Sequence, residues 1–261
     1  MISSPHNPKI QWIRALQTRR EERQSARAFV VEGVRLIEEA YSAGWKANLV
    51  LYSQQLSPRG RLLVEKFAVQ GVEVDEISPK LMEGIADTES PQGLLAVLEQ
   101  EGRPLPTTLD FVMIVDGMRD PGNLGTLLRT SAAAGIQVVL LSPGTTDAFA
   151  PKVLRSAMGA HFRFPILTLQ WEEIYEKCKY QQVPALKLFL AEMQSGLIYW
   201  QADLRLPLGL VIGGEAEGAS EFAHQHVDEI LTIPMPGGGE SLNASVAASI
   251  LIYEVVRQRQ L

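Results

Sequence analysis

The sequence predicts an α/β protein in two parts, a small α/β unit followed by a larger one built on a parallel sheet. Three observations carry that expectation. Residues 111–141 run apolar strand, helix, apolar strand (Phe111 to Val115, Leu124 to Ala134, Val138 to Leu141), the βαβ order that favours parallel sheets with right-handed crossovers. Helical and strand-like stretches also alternate from Ile10 to about Leu98. Between these regions, Gly102, Pro104 and Pro106 fall among polar residues, the composition of a linker. The expected organisation is a first domain over 1–99, a linker over 100–108 and a second domain over 109–261.

Within the first domain, Trp12 to Arg27 reads as helix, Ala28 to Val31 as a short strand, Gly33 to Ala43 as helix and Leu49 to Tyr52 as strand. Arg61 to Val69 follows as helix, Val72 to Ile77 as strand, Pro79 to Ile85 as a short helix and Gly93 to Leu98 as a final strand. The second domain continues with strands at Phe164 to Ile166, Ala185 to Ala191, Leu208 to Ile212 and Ile230 to Ile233, and closes with a buried helix, Val246 to Val256. No internal repeat or low-complexity tract interrupts the pattern.

The 261 residues are 46% apolar with a net charge of −6, the composition of an ordinary globular protein. No apolar run approaches the ~20 residues that cross a bilayer, and Met1 to Lys9 carries no signal-like apolar stretch, so cytoplasmic residence without membrane contact is expected. The single cysteine, Cys178, cannot form an internal disulfide and reads as a buried thiol. Charge is unevenly placed: residues 1–61 hold ten Lys or Arg against five Asp or Glu, leaving the remainder at −11. Arg14, Arg19, Arg20, Arg23, Arg27 and Arg35 fall on a mostly helical pattern and carry the planar fork suited to phosphate. A solvated helix face balanced by Glu21 and Glu22 accounts for the same residues equally well.

Three segments carry chemistry. From Asp116 to Gly135 a strand end passes through a Gly-Pro turn into a helix, with Asn123 near its N-terminus and Arg129 nearly two turns on. Such turns lie at the ligand-binding edge of α/β sheets, although Asn123 as a simple helix cap explains the residue as well. Its glycines do not match dinucleotide or P-loop spacing. From Leu210 to Ser220 an apolar strand breaks into a glycine-rich loop holding Glu215 between Gly213 and Gly218. The third segment, Ile233 to Ala247, combines two prolines with Gly237, Gly238 and Gly239, then presents Ser241, Asn243 and Ser245 at the mouth of the last helix. Prolines hold such a chain extended and glycines let a ligand approach the main chain, so this reads as a binding loop. His224 and His226 lack the further His or Cys that a metal site needs, and Ser241 lacks the Gly-x-Ser-x-Gly setting of a hydrolase nucleophile.

Taken together, Asn-x-Gly-x-x-x-Arg at 123–129, Gly-x-Glu-x-x-Gly at 213–218 and Ile-Pro-Met through Ser-Leu-Asn at 233–243 resemble the SpoU (TrmH-type) family of the SPOUT superfamily, AdoMet-dependent RNA 2′-O-ribose methyltransferases. The N-terminal part, with Phe29-Val-Val-Glu-Gly33 and Pro91-Gln-Gly93, resembles that family's L30e-like substrate-binding domain. Pro236, Gly238, Gly239 and Ala244 depart from the usual third motif. The resemblance implies a C-terminal SPOUT domain with a trefoil knot, S-adenosyl-L-methionine (AdoMet) as cofactor and no metal. It assigns Gly213, Ile233, Met235 and Leu242 to the cofactor, and Arg129 to the reacting hydroxyl with Asn123, Glu215, Ser241 and Asn243 as positioning groups. It further implies a homodimer acting on RNA, ribosomal RNA before tRNA, and not on DNA; the basic charge of the N-terminal region makes Arg19, Arg20, Arg23 and Arg27 the expected RNA contacts.

Overall fold

Asn7 caps the first helix, α1 (Pro8–Thr18), by accepting the Lys9 N–H, and Pro8 supplies a fixed φ where no N–H is needed. The single helix predicted over Trp12 to Arg27 is two, because Arg19 is extended (φ −117°, ψ 120°) between α1 and α2 (Arg20–Ala26). The first sheet is built from β1 (Ala28–Glu32), β2 (Ala47–Tyr52), β3 (Glu73–Glu76) and β4 (Leu94–Glu99), separated by α3 (Val34–Ser42), α4 (Pro58–Val69) and α5 (Pro79–Ile85). Ser57 and Ser78 cap α4 and α5 ahead of a proline, as Asn7 does for α1. That is why α4 begins at Pro58 and not at Arg61, where its apolar period becomes visible. The strand order is β1-β4-β2-β3, with β4 antiparallel to both neighbours and β3 parallel to β2. Ile10, Ile13 and Leu16 of α1 and Leu81, Met82 and Ile85 of α5 cover one face of it.

The structure is a computed structural model that describes residues 1–261 apart from Gly102, Gln194, Ala216, Glu240 and Leu261. The glycine of the expected linker is therefore outside the described residues. The chain forms two compact units, Met1–Glu101 with Phe149–Phe162, and Gly102–Ala148 with Arg163–Leu261. In the second unit β5 (Phe111–Asp116) leads through α6 (Pro121–Ala134) to β6 (Val138–Leu141). The segment holding α7 (Pro151–Ala157) then packs with the first unit, where the Phe149 ring lies 4.8 Å from Phe29 and Phe162 lies 5.3 Å from Trp45.

The rest of the second unit comprises β7 (Ile166–Thr168), α8 (Trp171–Lys179), β8 (Lys187–Glu192), β9 (Leu197–Ile198), β10 (Leu208–Gly213), α9 (Glu221–His226), β11 (Glu229–Thr232) and α10 (Ala244–Gln260). Strand β7 starts after Pro165, two residues later than the expected Phe164, since a proline cannot donate to the ladder. Among the described residues the sheet is wholly parallel in the order β7-β6-β5-β10-β8-β11-β9. Strands β5 and β6 are buried along their whole length, which is why both read as unbroken apolar runs. No described helix is long and apolar enough to cross a membrane.

Candidate active site

Strand order places the site. Strands β5 and β10 are neighbours in the middle of the second sheet although nearly 100 residues separate them, and β11 lies one strand beyond β8. The loops leaving their carboxyl ends are the three motif segments, at the edge where parallel α/β sheets bind ligands.

At the first loop Asp120, not Asn123, caps α6: its carboxylate accepts the Asn123 N–H at 2.8 Å. The Asn123 side chain is thereby released for other partners. Its Nδ2 donates to Glu215 Oε1 at 2.7 Å, and its Oδ1 accepts from Asn243 Nδ2 at 2.9 Å. Asn243 Oδ1 in turn accepts from the Ser245 hydroxyl at 2.7 Å and from the Ser245 N–H at 3.0 Å. The Arg119 N–H reaches Glu215 Oε2 at 3.3 Å, and the Arg119 guanidinium pairs with Glu217. One hydrogen-bonded chain, Glu215–Asn123–Asn243–Ser245, therefore joins three segments far apart in sequence. The buried Ser245 was noticed in the sequence only as a polar group at a helix mouth. Its spacing from Asn243, two residues, is the local signal of an Asx cap.

Beside this chain lies a cavity of about 560 Å³. Gly213, Glu215, Ile233, Met235, Ser241, Leu242 and Asn243 all line it. Its lining also includes Glu192 and His224, paired at 3.2 Å; the sequence weighed His224 only as a metal ligand and did not single out Glu192, which belongs to no motif. A side chain at Gly213 would place its Cβ 2.4 Å from the Ala219 amide nitrogen, so a close backbone approach demands glycine there. Arg129 stands apart. It is exposed on α6, about 240° around the helix from Asn123, it does not line the cavity, and its guanidinium makes no hydrogen bond or ion pair with any described residue.

Of the four arginines expected at RNA, Arg19 and Arg27 are exposed and Arg20 is partly so. Arg23 is not available. It is 5% exposed and its guanidinium donates to the Leu16 carbonyl at 2.5 Å and to that of Gln17 at 3.4 Å, satisfying carbonyls at the end of α1. Cys178 is fully buried, and burial pushes its thiol up to about 12. His226 stacks on Phe222 with ring centroids 3.9 Å apart, and no described group of three or more His, Cys, Asp or Glu could hold a metal ion.

Comparison with known proteins agrees with this geometry. Residues 110–253 match the SpoU rRNA Methylase family and residues 7–96 match the MRM3-like substrate binding domain. The chain is 32% identical to the 23S rRNA (guanosine(2553)-2'-O)-methyltransferase RlmP of Bacillus subtilis over 97% of this chain and 98% of that protein. It superimposes on the SpoU methyltransferase AviRb of Streptomyces viridochromogenes in complex with AdoMet, with a TM-score of 0.88 and 29% identity over 97% of this chain and 99% of that one. The AdoMet-bound rRNA methyltransferase of Sinorhizobium meliloti gives a TM-score of 0.87 at 29% identity over 98% and 97% of the two chains. With the family model spanning more than half of its length, and the first motif hydrogen-bonded through Asn123 to the two motifs that line the cavity, this chain belongs to the SpoU rRNA methylase family.

Proposed function

We propose that the protein transfers a methyl group from AdoMet to a ribose 2′-hydroxyl of ribosomal RNA. The observation that carries this reading is the hydrogen-bonded chain Glu215–Asn123–Asn243 at the edge of a cavity of cofactor size. The cavity suits AdoMet chemically: Ile233, Met235 and Leu242 offer an apolar face for a purine, and three lining carboxylates, Glu192, Glu215 and Glu217, suit a ligand of net positive charge. When bound, AdoMet supplies an electrophilic methyl group on a sulfonium. The protein's part is to hold the ribose oxygen in line with that methyl, and positioning dominates the rate of such a displacement.

Arg129 clamps the RNA phosphate and stabilises the developing alkoxide; a guanidinium stays protonated and so serves poorly as a base. Asn123, Glu215 and Asn243 fix the mouth of the cavity, and Ser241, outside the hydrogen-bonded chain, faces the reacting ribose. Because Arg129 does not line its own cavity, the protein acts as a homodimer, with Arg129 completing the site of the other copy. The exposed apolar side chains Val246 and Tyr253 of α10, 47% and 51% exposed, support pairing along that helix. The trefoil knot belongs to the same proposal, supported by the insertion of β10 between β5 and β8. RNA is met by Arg19, Arg20 and Arg27, with exposed Lys152 of α7 as a further contact.

The deciding experiment is labelled AdoMet with unmodified ribosomal RNA and tRNA, followed by mass spectrometry of the labelled fragment. Label on a ribose of ribosomal RNA is expected; label on a base, or on neither RNA, overturns the reading. Mixing Arg129→Ala with Gly213→Ala subunits tests the dimer. Restored transfer in the mixture is expected, and none overturns a shared site.

A further inference from the structure

Asp116 ends strand β5 with its carboxylate 3% exposed, and nothing in the three motifs accounts for it. Its Oδ1 accepts from the Ser142 hydroxyl at 2.6 Å and from the Trp171 indole N–H at 2.8 Å. Its Oδ2 accepts from the Ser220 backbone N–H at 2.7 Å. These donors come from the end of β6, from α8 and from the last residue of the Gly213–Ser220 loop. A carboxylate can accept all three, whereas an amide of the same shape would set a donor against at least one of them.

The third bond is the informative one. The Gly213–Ser220 loop supplies Gly213, Gly214, Glu215, Glu217, Gly218 and Ala219 to the cavity wall. Near its start it is held by Asn123 and the Arg119 N–H through Glu215. At its end the hold is Ser220, which caps α9 with its hydroxyl and gives its N–H to Asp116. Just before the first of these anchors the loop also leans on the backbone after Asp116, since a Cβ on Gly214 would lie 2.6 Å from the Gly117 carbonyl oxygen.

We infer that Asp116 is a positioning residue for the cofactor cavity, which fixes the far end of the Gly213–Ser220 loop through the Ser220 N–H while its other two bonds hold the carboxylate in place. The inference rests on the reading of the cavity as an AdoMet site. A fixed loop binds without first losing its own freedom, so loosening it weakens binding even where no contact atom is removed.

AdoMet titration calorimetry on the full chain tests it. Wild-type binding establishes the cavity reading; its absence sinks that reading and this inference together. Given wild-type binding, Asp116→Asn is expected to raise the AdoMet Kd by about tenfold or more, with kcat at saturating AdoMet changed by no more than about twofold. Trp171→Phe, which removes a different donor from the same carboxylate, should leave Kd within about twofold. Equal Kd changes in the two variants would reduce Asp116 to a structural residue. Ser220→Pro provides an arm that leaves Asp116 intact: its native φ of −66° suits proline, and the change deletes the N–H. Ser220→Ala loses only the cap. Proline weakening AdoMet well beyond alanine supports the inference, even if Asp116→Asn does not fold, and equal effects of the two overturn it.

Discussion

The second and third motif loops are both rich in glycine, and the glycines serve opposite ends. In the Gly213–Ser220 loop Gly213 and Gly214 are demanded by crowding, since added Cβ atoms would meet backbone atoms at 2.4 Å and 2.6 Å, while Gly218, at φ 70°, is glycine for its conformation. In the loop from Ile233 to Asn243, Gly237, Gly238 and Gly239 have, among the described residues beyond their own chain neighbours, no atom within 4 Å of where a side chain would go. Only Gly238, at φ 73°, needs glycine for its conformation. The second loop is held at both ends by hydrogen bonds to other segments, and the third is held at its C-terminal end, where Asn243 meets Asn123. A glycine run can therefore mean a wall built too tightly for side chains, or a strand of chain left open to an incoming molecule. Composition does not distinguish these two cases, but packing does.

The largest expected effect comes from Gly213→Ala. Its Cβ collides with backbone that cannot give way cheaply, so about 1–3 kcal/mol of stability should be lost on thermal unfolding, with AdoMet binding lost by calorimetry. Near-normal binding would break the comparison. Next, Asn123→Ala removes the group that joins the two loops, and kcat/KM for methyl transfer should fall by about 10- to 100-fold with the fold intact by circular dichroism. Arg129→Ala is expected to abolish transfer yet leave AdoMet affinity within about threefold, because that side chain lies outside the cavity. Gly238→Ala should cost about 1–2 kcal/mol for its left-handed backbone. The smallest effect belongs to Gly239→Ala, expected within about 0.5 kcal/mol of wild type in stability, so any loss would appear only in RNA affinity. If AdoMet affinity itself falls, the third loop is packed and not open.

Much of the fold was legible because its signals are local. The buried strands β5 and β6 read as continuous apolar runs and α5 begins at Pro79 as expected, whereas the caps Asn7, Ser57 and Asp120 start α1, α4 and α6 at Pro8, Pro58 and Pro121, ahead of the Trp12, Arg61 and Leu124 where the apolar period shows. Where local signals misled, a tertiary bond had intervened. Arg23 looked like one more basic residue of a phosphate-binding face, yet it turns inward to the carbonyls of Leu16 and Gln17. Asn123 looked equally like a helix cap, and Asp120 took that role. The segment 149–162, contiguous in sequence with the second sheet, packs with the first unit through Phe149 and Phe162.

The sequence by itself determined the two-part α/β plan, the three motif loops and the residue types they offer, since apolar period, caps and glycine–proline turns are set by neighbours along the chain. The tertiary structure alone decided which of those residues meet. Strand order brings Asn123, Glu215 and Asn243 into one hydrogen-bonded chain across separations of 92 and 120 residues. It also buries Asp116 among donors from three elements and leaves Arg129 facing outward. Those outcomes depend on which loops emerge at the same edge of the sheet, and strand order across a sheet has no counterpart in local sequence.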